Sequence, residues 1–261
     1  MVFDSFQGYG FVHHRALNDP AAFDKYIDIA TRFPDRTHIM EGGICWDFTD
    51  NRELLYFRHP SFIVDTLSAA DVEQGLRQRT LIGPSSLSTV AATGALVVAE
   101  LKAGRGDWRR AVRTLVELLE ATLPGRYWID GFSLPMLQYV KQLSPATPIT
   151  LHTECVYNGR VVIGAPEWPP LRVRRIDEII EIDGVIIRRR GSAGFMAKAC
   201  KDVGAAGKTL LLSRLHSLQD FEYSKSWGAA AGYMHWDFED LVKFNDKLDG
   251  LNDPDTTMNN N

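Results

Sequence analysis

The sequence predicts an α/β protein that folds as a single-domain (β/α)8 barrel, a TIM barrel. Short apolar runs and amphipathic stretches alternate about eight times along the chain, as strands and helices do in that fold. Polar residues also fall at or near the ends of predicted strands, where such a barrel carries its active site. These residues are His14, Asp47, Glu100, Lys102, Asp130, His152, Arg188 and His235. A doubly wound parallel sheet is the competing architecture.

The individual elements follow from strand, cap and turn signals in chain order. The apolar run 11–14 is predicted as a strand, and a helix over 21–32 begins after Pro20 with Asn18 or Asp19 as its cap. The later predicted strands span 37–47, 54–59, 95–102, 127–130, 148–152, 185–188, 209–213 and 233–235. The later predicted helices span 68–79, 108–123, 133–142, 193–203, 217–227 and 237–247.

The domain organisation is predicted to be simple. No internal repeat or linker divides the chain, so residues 1–250 are expected to form one barrel domain. Residues 251–261 are predicted to be a polar, disordered tail. The stretch 156–175 is rich in glycine and proline and is interpreted as a loop or lid with short regular pieces.

Composition excludes several classes of function. The chain is 45% hydrophobic and 24% charged, with a net charge of −4 and a pI near 6.0, which argues against a nucleic-acid partner. Cys45, Cys155 and Cys200 show no paired spacing, a pattern typical of a reducing compartment. The chain has no signal-peptide profile and no apolar run near the roughly 18 residues of a membrane span. We therefore expect a cytoplasmic protein with no membrane partner.

A predicted hairpin near residue 50 carries the first chemical signal. Read with period two, Glu41, Gly43, Cys45 and Asp47 share one strand face. A polar turn then reverses the chain into a run that ends at His59. Carboxylates beside a histidine suit either a hard-metal site or acid–base chemistry, although an ordinary surface hairpin has the same spacing.

The complete set of strand-end residues indicates phosphodiester chemistry. Carboxylates bind Mg²⁺ or Ca²⁺ through oxygen, and lysine and arginine bind phosphate oxygens. One histidine can activate the attacking oxygen while a second protonates the leaving oxygen. Cleavage or transfer of a phosphodiester uses these groups together, because charge develops on the phosphoryl oxygens.

The motifs around these residues are similar to those of a known superfamily. Residues 12–15 are similar to its His-Arg pair on the first strand, and residues 43–47 to its pair of metal-binding carboxylates on the second. His59 is similar to its second catalytic histidine, and Glu100-Leu101-Lys102 to its third-strand motif. Here the chain resembles the glycerophosphodiester phosphodiesterase-like superfamily, which includes the sphingomyelinase D enzymes. The resemblance implies a phospholipase-C-like barrel that uses a divalent metal.

From the strand ends and the resemblance together we expect three groups of site residues. The expected catalytic residues are His14 and His59; the metal ligands, for Mg²⁺ or Ca²⁺, are Glu41, Asp47 and Glu100; the substrate contacts are Arg15, Lys102, His152, Arg188 and Trp236. The expected partner is a small sugar phosphate or sugar phosphodiester.

The chain departs from the family pattern at two places. In the register that fits His59, Cys45 stands where the family has its metal glutamate, and Glu41 lies four residues, roughly 13 Å, before it on the strand. Pro60 follows His59 where the hydrolases have aspartate or glycine. These departures favour a specialised branch, resembling the enzymes of agrocinopine and opine metabolism, which make or break phosphodiesters between sugars.

Three alternatives stay open at the level of sequence. The enzyme either forms or cleaves its phosphodiester, because water and a sugar hydroxyl are equivalent attacking groups. The changes at Cys45 and Pro60 also fit a decayed barrel that binds a sugar phosphate without turnover. A different barrel enzyme, such as an aldolase that uses Lys102 as a Schiff-base amine, is the third alternative.

Overall fold

Eight parallel strands close into a barrel, which confirms the predicted fold class. The computed structural model describes residues 10–49, 51–59, 67–163, 172–188 and 192–234. The strands are β1 (Gly10–His13), β2 (His38–Thr49), β3 (Arg52–Phe57), β4 (Leu96–Gly106), β5 (Tyr127–Gly131), β6 (Ile149–Thr153), β7 (Val156–Tyr157), β8 (Arg160–Ile163), β9 (Arg172–Arg175), β10 (Gly184–Arg188), β11 (Thr209–Leu215) and β12 (Ala231–Met234). The barrel runs β1-β2-β4-β5-β6-β10-β11-β12 and closes because β12 pairs with β1.

Helices follow most of the barrel strands. They are α1 (Pro20–Arg32), α2 (Ala69–Arg77), α3 (Leu87–Thr93), α4 (Trp108–Thr122), α5 (Leu134–Leu143), α6 (Ala193–Ala205) and α7 (Leu218–Ser226). The α1 cap is Asp19, whose carboxylate accepts a hydrogen bond from the backbone N–H of Ala21 at 2.9 Å. Helix α3 has no counterpart among the predicted helices. The predicted helix 237–247 and tail 251–261 lie outside the described residues. No helix in the described ranges is long and apolar enough to cross a membrane.

The inside of the barrel changes from apolar to polar along its axis. Its lower part is a buried apolar cluster of Val12, Ile39, Leu96, Val98, Trp128, Ile186, Leu211, Ala231 and Tyr233. Side chains alternate along a strand, so the residue two positions further on points inward at the next level. Those residues are His14, Glu41, Glu100, Asp130, Arg188 and Ser213. The apolar layer therefore supports a polar layer at the carboxyl ends of the strands.

Two additions extend this barrel. The outer half of β2 pairs with the antiparallel strand β3 from Ile44 to Thr49, which forms the predicted hairpin. The stretch 156–175, interpreted as a loop or lid, contains the three-stranded antiparallel sheet β7-β8-β9, with 164–171 outside the described residues. This second sheet is more regular than the glycine and proline content predicted.

A buried histidine pair lies on the outside of the barrel wall. His13 is 1% exposed, and its Nε2 lies 3.0 Å from Nδ1 of His38. Its ring packs on Tyr26 at a centroid distance of 4.9 Å. Burial, and then the charge of His38, hold the pKa of His13 well below its usual range, and burial lowers the pKa of His38. Both rings are therefore neutral in the folded protein at pH 7.

We expect this pair to make folding sensitive to acid. A histidine whose pKa is depressed on folding contributes stability above its unfolded pKa, and that stability is lost as the pH falls below it. The free energy of unfolding should fall between about pH 6.5 and 5, by up to about 1.4 kcal/mol per pH unit for each histidine. Chemical denaturation of His13→Gln should show a shallower fall. The exposed His216→Gln is the control, and an unchanged slope in His13→Gln would contradict the assignment.

Candidate active site

A pocket of about 190 Å³ opens at the carboxyl ends of the barrel strands. Its walls come from seven barrel strands or the residues that follow them, and from the end of the β2–β3 hairpin. The lining residues are His14, Arg15, His59, Glu100, Lys102, Phe132, His152, Arg188, Ser213, Arg214 and Tyr233. Seven of the ten expected site residues are in this set, so the structure brings most of them together.

The two expected catalytic histidines lie on the same side of the pocket. The rings of His14 and His59 have their centroids 6.0 Å apart and stand at 71° to each other. Burial, followed by the charges of Lys102 and Arg15, lowers the pKa of His59 to about 4. His59 is therefore neutral at pH 7 and able to accept a proton.

Hydrogen bonding of the hairpin places His59 in the pocket. The backbone N–H of Arg58 donates to the carbonyl of Gly43 at 2.7 Å, directly after the last residue of β3. This bond returns the chain from the outer end of the hairpin to the level of the barrel interior. His59 consequently lies beside Lys102, with Nε2 3.4 Å from the lysine Nζ.

Glu100 and Lys102 form an ion pair on the inward face of β4. The lysine Nζ lies 2.5 Å from Glu100 Oε1, and both side chains are nearly buried. Burial alone would raise the pKa of Glu100, but Lys102 and then His152 reverse this and lower it to about 2. Burial would lower the pKa of Lys102, but the carboxylates raise it. Lys102 is thus held as a cation, which disfavours the aldolase alternative because a Schiff-base lysine must react as a neutral amine.

Glu41 lies below this pair, inside the barrel. It is fully buried, and the backbone N–H of Arg15 donates a hydrogen bond to its Oε2. Burial and then the charge of Glu100 raise the pKa of Glu41 to about 8, which reflects how close the two carboxylates lie. Glu41, and not Cys45, therefore faces the barrel interior beside Glu100.

Asp47 lies elsewhere. In the pairing of β2 with β4, Asp47 lies opposite Arg105, whereas Gly43 lies opposite Glu100. Asp47 is four residues beyond Gly43, which places it roughly 13 Å further along the strand. Asp47 does not line the pocket, so the expected grouping of Asp47 with Glu100 is not formed. Cys45 belongs to a separate cluster with Tyr56 and Val72, outside the barrel interior.

Gly43 leaves the inward face of β2 without a side chain at the level of Glu100. A Cβ at this position would lie 2.6 Å from the carbonyl oxygen of Arg58 and 3.1 Å from Cγ of Lys102. The stem of Lys102 fills the space that a side chain at 43 would need. The inward carboxylate of β2 is therefore Glu41 alone.

The residues present fit a magnesium ion with few protein ligands. No group of three histidine, cysteine or acidic side chains within the described ranges is arranged to hold a metal. Mg²⁺, however, is commonly bound by one or two carboxylates and completes its coordination with water and substrate phosphate. Glu41 and Glu100 supply two adjacent carboxylates, and Oε1 of Glu41 is buried with no hydrogen-bond partner among the described residues.

Another wall of the pocket is formed by Arg188 and the aromatic ring of Phe132. The Phe132 ring stacks on His152 at 4.4 Å and 10°, and Arg188 lies over the ring at 5.9 Å. Arg188 also forms an ion pair with Glu154. Burial is the largest of the influences that lower the pKa of His152 to about 3. Two of the five expected substrate contacts, His152 and Arg188, therefore lie on this wall.

Several residues of the pocket were not expected from the sequence. Tyr233 donates a hydrogen bond at 2.8 Å to Oδ2 of Asp130 on the barrel floor. Arg214 lies where the pairing of β11 with β12 shifts register, and it follows the predicted strand 209–213 directly. Arg214 could have been identified from the sequence as a polar residue at a strand end, since it is the first residue past that predicted strand. The expected contact Trp236 lies outside the described residues.

Comparisons with known proteins place the fold. No family model and no curated protein matches the chain. Solved structures do match over nearly the whole chain. A glycerophosphodiester phosphodiesterase from Parabacteroides distasonis has a TM-score of 0.63 at 11% identity, covering 92% of this chain and 99% of the other.

Two further structures have similar values. A phosphodiesterase from Oleispira antarctica, in complex with the product sn-glycerol-3-phosphate, has a TM-score of 0.66 at 13% identity and covers 94% of this chain and 99% of its own. A glycerophosphoryl diester phosphodiesterase from Agrobacterium tumefaciens has a TM-score of 0.62 at 12% identity, with 92% and 99% coverage. At these identities the likeness establishes a shared barrel fold.

Proposed function

We propose that this protein is an enzyme that cleaves or forms a phosphodiester of a small polar alcohol. The observation that carries the proposal is the convergence of His14, His59, Glu100 and Lys102 in one pocket, with Glu41 buried beside Glu100. The resemblance of the fold to phosphodiesterase structures supports it, as does the product bound to the Oleispira antarctica protein.

Each residue takes a definite part in the proposed reaction. His59, neutral at pH 7, accepts the proton of the attacking hydroxyl or water, and His14 gives a proton to the leaving oxygen. Lys102 binds a phosphate oxygen as a permanent cation. Glu41 and Glu100 would hold Mg²⁺, which supplies positive charge to the phosphoryl oxygens when bound.

The substrate class we propose is a sugar phosphodiester of the agrocinopine type. The pocket is small, and polar side chains dominate its walls, which suits hydroxyl groups better than a lipid chain. Phe132 and His152 offer a stacked aromatic surface on which a sugar ring can pack. The direction of reaction is then set by whether water or a sugar hydroxyl occupies the site beside His59.

Phosphorus NMR tests the proposal. The protein with Mg²⁺ should convert at least one of a panel of glycerophosphodiesters and sugar phosphodiesters, with a new monoester signal if water is the acceptor. Synthesis is tested by supplying a sugar phosphodonor with a second sugar and searching for a new diester by mass spectrometry. Absence of turnover in either direction, with the ligands still bound, would instead support the decayed binding barrel, which the missing side chain at Gly43 favours.

A further inference from the structure

We infer that the pocket takes a substrate with a second anionic group, a carboxylate or phosphomonoester, which Arg188, Ser213 and Arg214 bind opposite Glu100 and Lys102. This inference deepens the proposed function and depends on it for the position of the first phosphate. Three independent observations carry it: the order of strands in the barrel, the charge of the pocket, and the backbone of β11.

The order of strands separates two halves of the pocket. In a closed ring of eight strands, the strand four places further round lies on the opposite side. Strand β10 is therefore opposite β2, and β11 is opposite β4. Arg188 and Arg214, from β10 and β11, consequently face Glu100 and Lys102 across the pocket. A phosphodiester held near Lys102 would project one of its alcohol groups towards the two arginines.

The two sides of the pocket differ in the charge of their lining residues. Glu100 and Lys102 pair with each other on the β4 side. On the β10–β11 side the described lining residues are the cations Arg188 and Arg214 and the hydroxyl of Ser213. Glu154 offsets part of the charge of Arg188 through their ion pair. Guanidinium groups beside a hydroxyl suit a carboxylate or phosphate oxygen, so a second anion on the substrate would bind on this side.

The backbone of β11 is shaped to present this wall. Arg214 has φ of 65°, a left-handed conformation that an arginine rarely adopts and that tends to be kept at ligand sites. It lies in the register shift of β11 between Leu212 and Leu215, where a bulge redirects side chains. Ser213 is 4% exposed, and its hydroxyl has no hydrogen-bond partner among the described residues, so it is available to donate to a ligand oxygen.

Two unreactive monoesters test the inference by calorimetry. sn-Glycerol 3-phosphate and 3-phosphoglycerate differ in that a hydroxymethyl group is replaced by a carboxylate. We expect the wild-type protein with Mg²⁺ to bind 3-phosphoglycerate at least about tenfold more tightly, since a charge-assisted hydrogen bond is worth that or more. Arg214→Asn should abolish the preference, because asparagine tolerates the left-handed conformation but lacks the charge. Arg214→Lys should retain part of it.

The controls separate the possible causes. Arg160→Asn removes an exposed arginine of the second sheet and should leave the preference intact. Any advantage that the carboxylate gains by chelating Mg²⁺ would survive in Arg214→Asn, so only the difference between variants counts. Circular dichroism verifies that each variant is folded. If Arg214→Asn does not fold, Arg214→Lys still tests the preference.

The outcomes distinguish this inference from the proposed function. Equal affinity of the wild-type protein for the two monoesters would overturn the second anion site and leave the diesterase proposal standing. A preference that is as large in Arg214→Asn as in the wild-type protein would also overturn it. A preference that depends on Arg214, in a protein that turns over no phosphodiester, would support the anion site and overturn the proposed activity. If neither monoester bound, the anion site would be overturned, and the phosphorus NMR experiment would decide the proposed function separately.

Discussion

Replacing His14 or His59 with alanine is expected to lower kcat/KM for phosphodiester turnover by about 10²–10⁴-fold. The two rings lie 6.0 Å apart on one side of the pocket, with His59 neutral beside the cationic Lys102. Each alanine removes one of two proton transfers, and the residual rate would come from binding and from the remaining charges. Substrates with a good leaving group should partly rescue His14→Ala, because they need less protonation.

Two other histidines are controls for this experiment. His216 is exposed and does not line the pocket, so His216→Ala should retain full activity. His13→Gln removes the neighbour of His14 that points to the outside of the barrel, and should affect acid stability more than turnover at pH 7.5. Full activity in both His14→Ala and His59→Ala would rule out the two-histidine mechanism.

Replacing Glu100 with glutamine is expected to have the second large effect. The carboxylate is one of two inward carboxylates beside Lys102, and glutamine keeps an acceptor for the lysine while removing the charge. Binding of Mn²⁺, used as a paramagnetic substitute for Mg²⁺, should weaken by at least about a hundredfold, since even partners outside the ligand shell contribute about 10–100-fold. Turnover should fall by about 10²–10³-fold for lack of charge stabilisation.

Asp47→Asn is the matched control for Glu100→Gln. Asp47 is also a buried carboxylate, 4% exposed, but it lies along the hairpin and not in the pocket. Its substitution should leave the Mn²⁺ affinity unchanged, measured by electron paramagnetic resonance. Melting curves without metal show whether either variant is unfolded. Loss of Mn²⁺ binding in Asp47→Asn but not in Glu100→Gln would contradict Glu41 and Glu100 as the ligands. It would support the motif alignment that counts back from His59 to Asp47.

The barrel itself was predictable because its signals are local. Apolar runs end at polar residues, and caps such as Asp19 and Ser68 mark helix starts at the positions where the structure has them. The amphipathic helix 108–123 was readable from its spacing, since Leu115 and Leu119 recur on one buried face of α4. Closure of the ring then follows from the parallel order of strands.

Asp47 was grouped with Glu100 because the length of a hairpin cannot be read from a motif. Counting back from His59 by the family spacing points to Cys45 and Asp47. The chain instead returns antiparallel from Thr49 and Arg52, which brings His59 back to the level of Gly43. The extra length of the hairpin lies beyond the barrel, and only the pairing of β2 with β3 reveals it.

The remaining residues of the pocket depend on tertiary structure. Phe132 lies past the end of β5, and its place in the pocket wall depends on stacking against His152, a contact that the sequence does not specify. Arg214 depends on a shift in strand register, and Asp130 on the hydroxyl of Tyr233 from across the barrel floor. Such pairings join residues far apart in the chain, so no local pattern predicts them.

The unequal lengths of the barrel strands have a consequence for how this protein can evolve. Strands β2 and β4 are 12 and 11 residues long, whereas β10 has 5 and β11 has 7. His59 and the two carboxylates depend on the long strands, whose extensive backbone pairing resists displacement. Arg188 and Arg214 stand at the ends of short strands, where insertions and substitutions disturb few backbone hydrogen bonds. New substrates should therefore be acquired by changes on the β10–β11 side, while His59 and the two carboxylates are inherited unchanged.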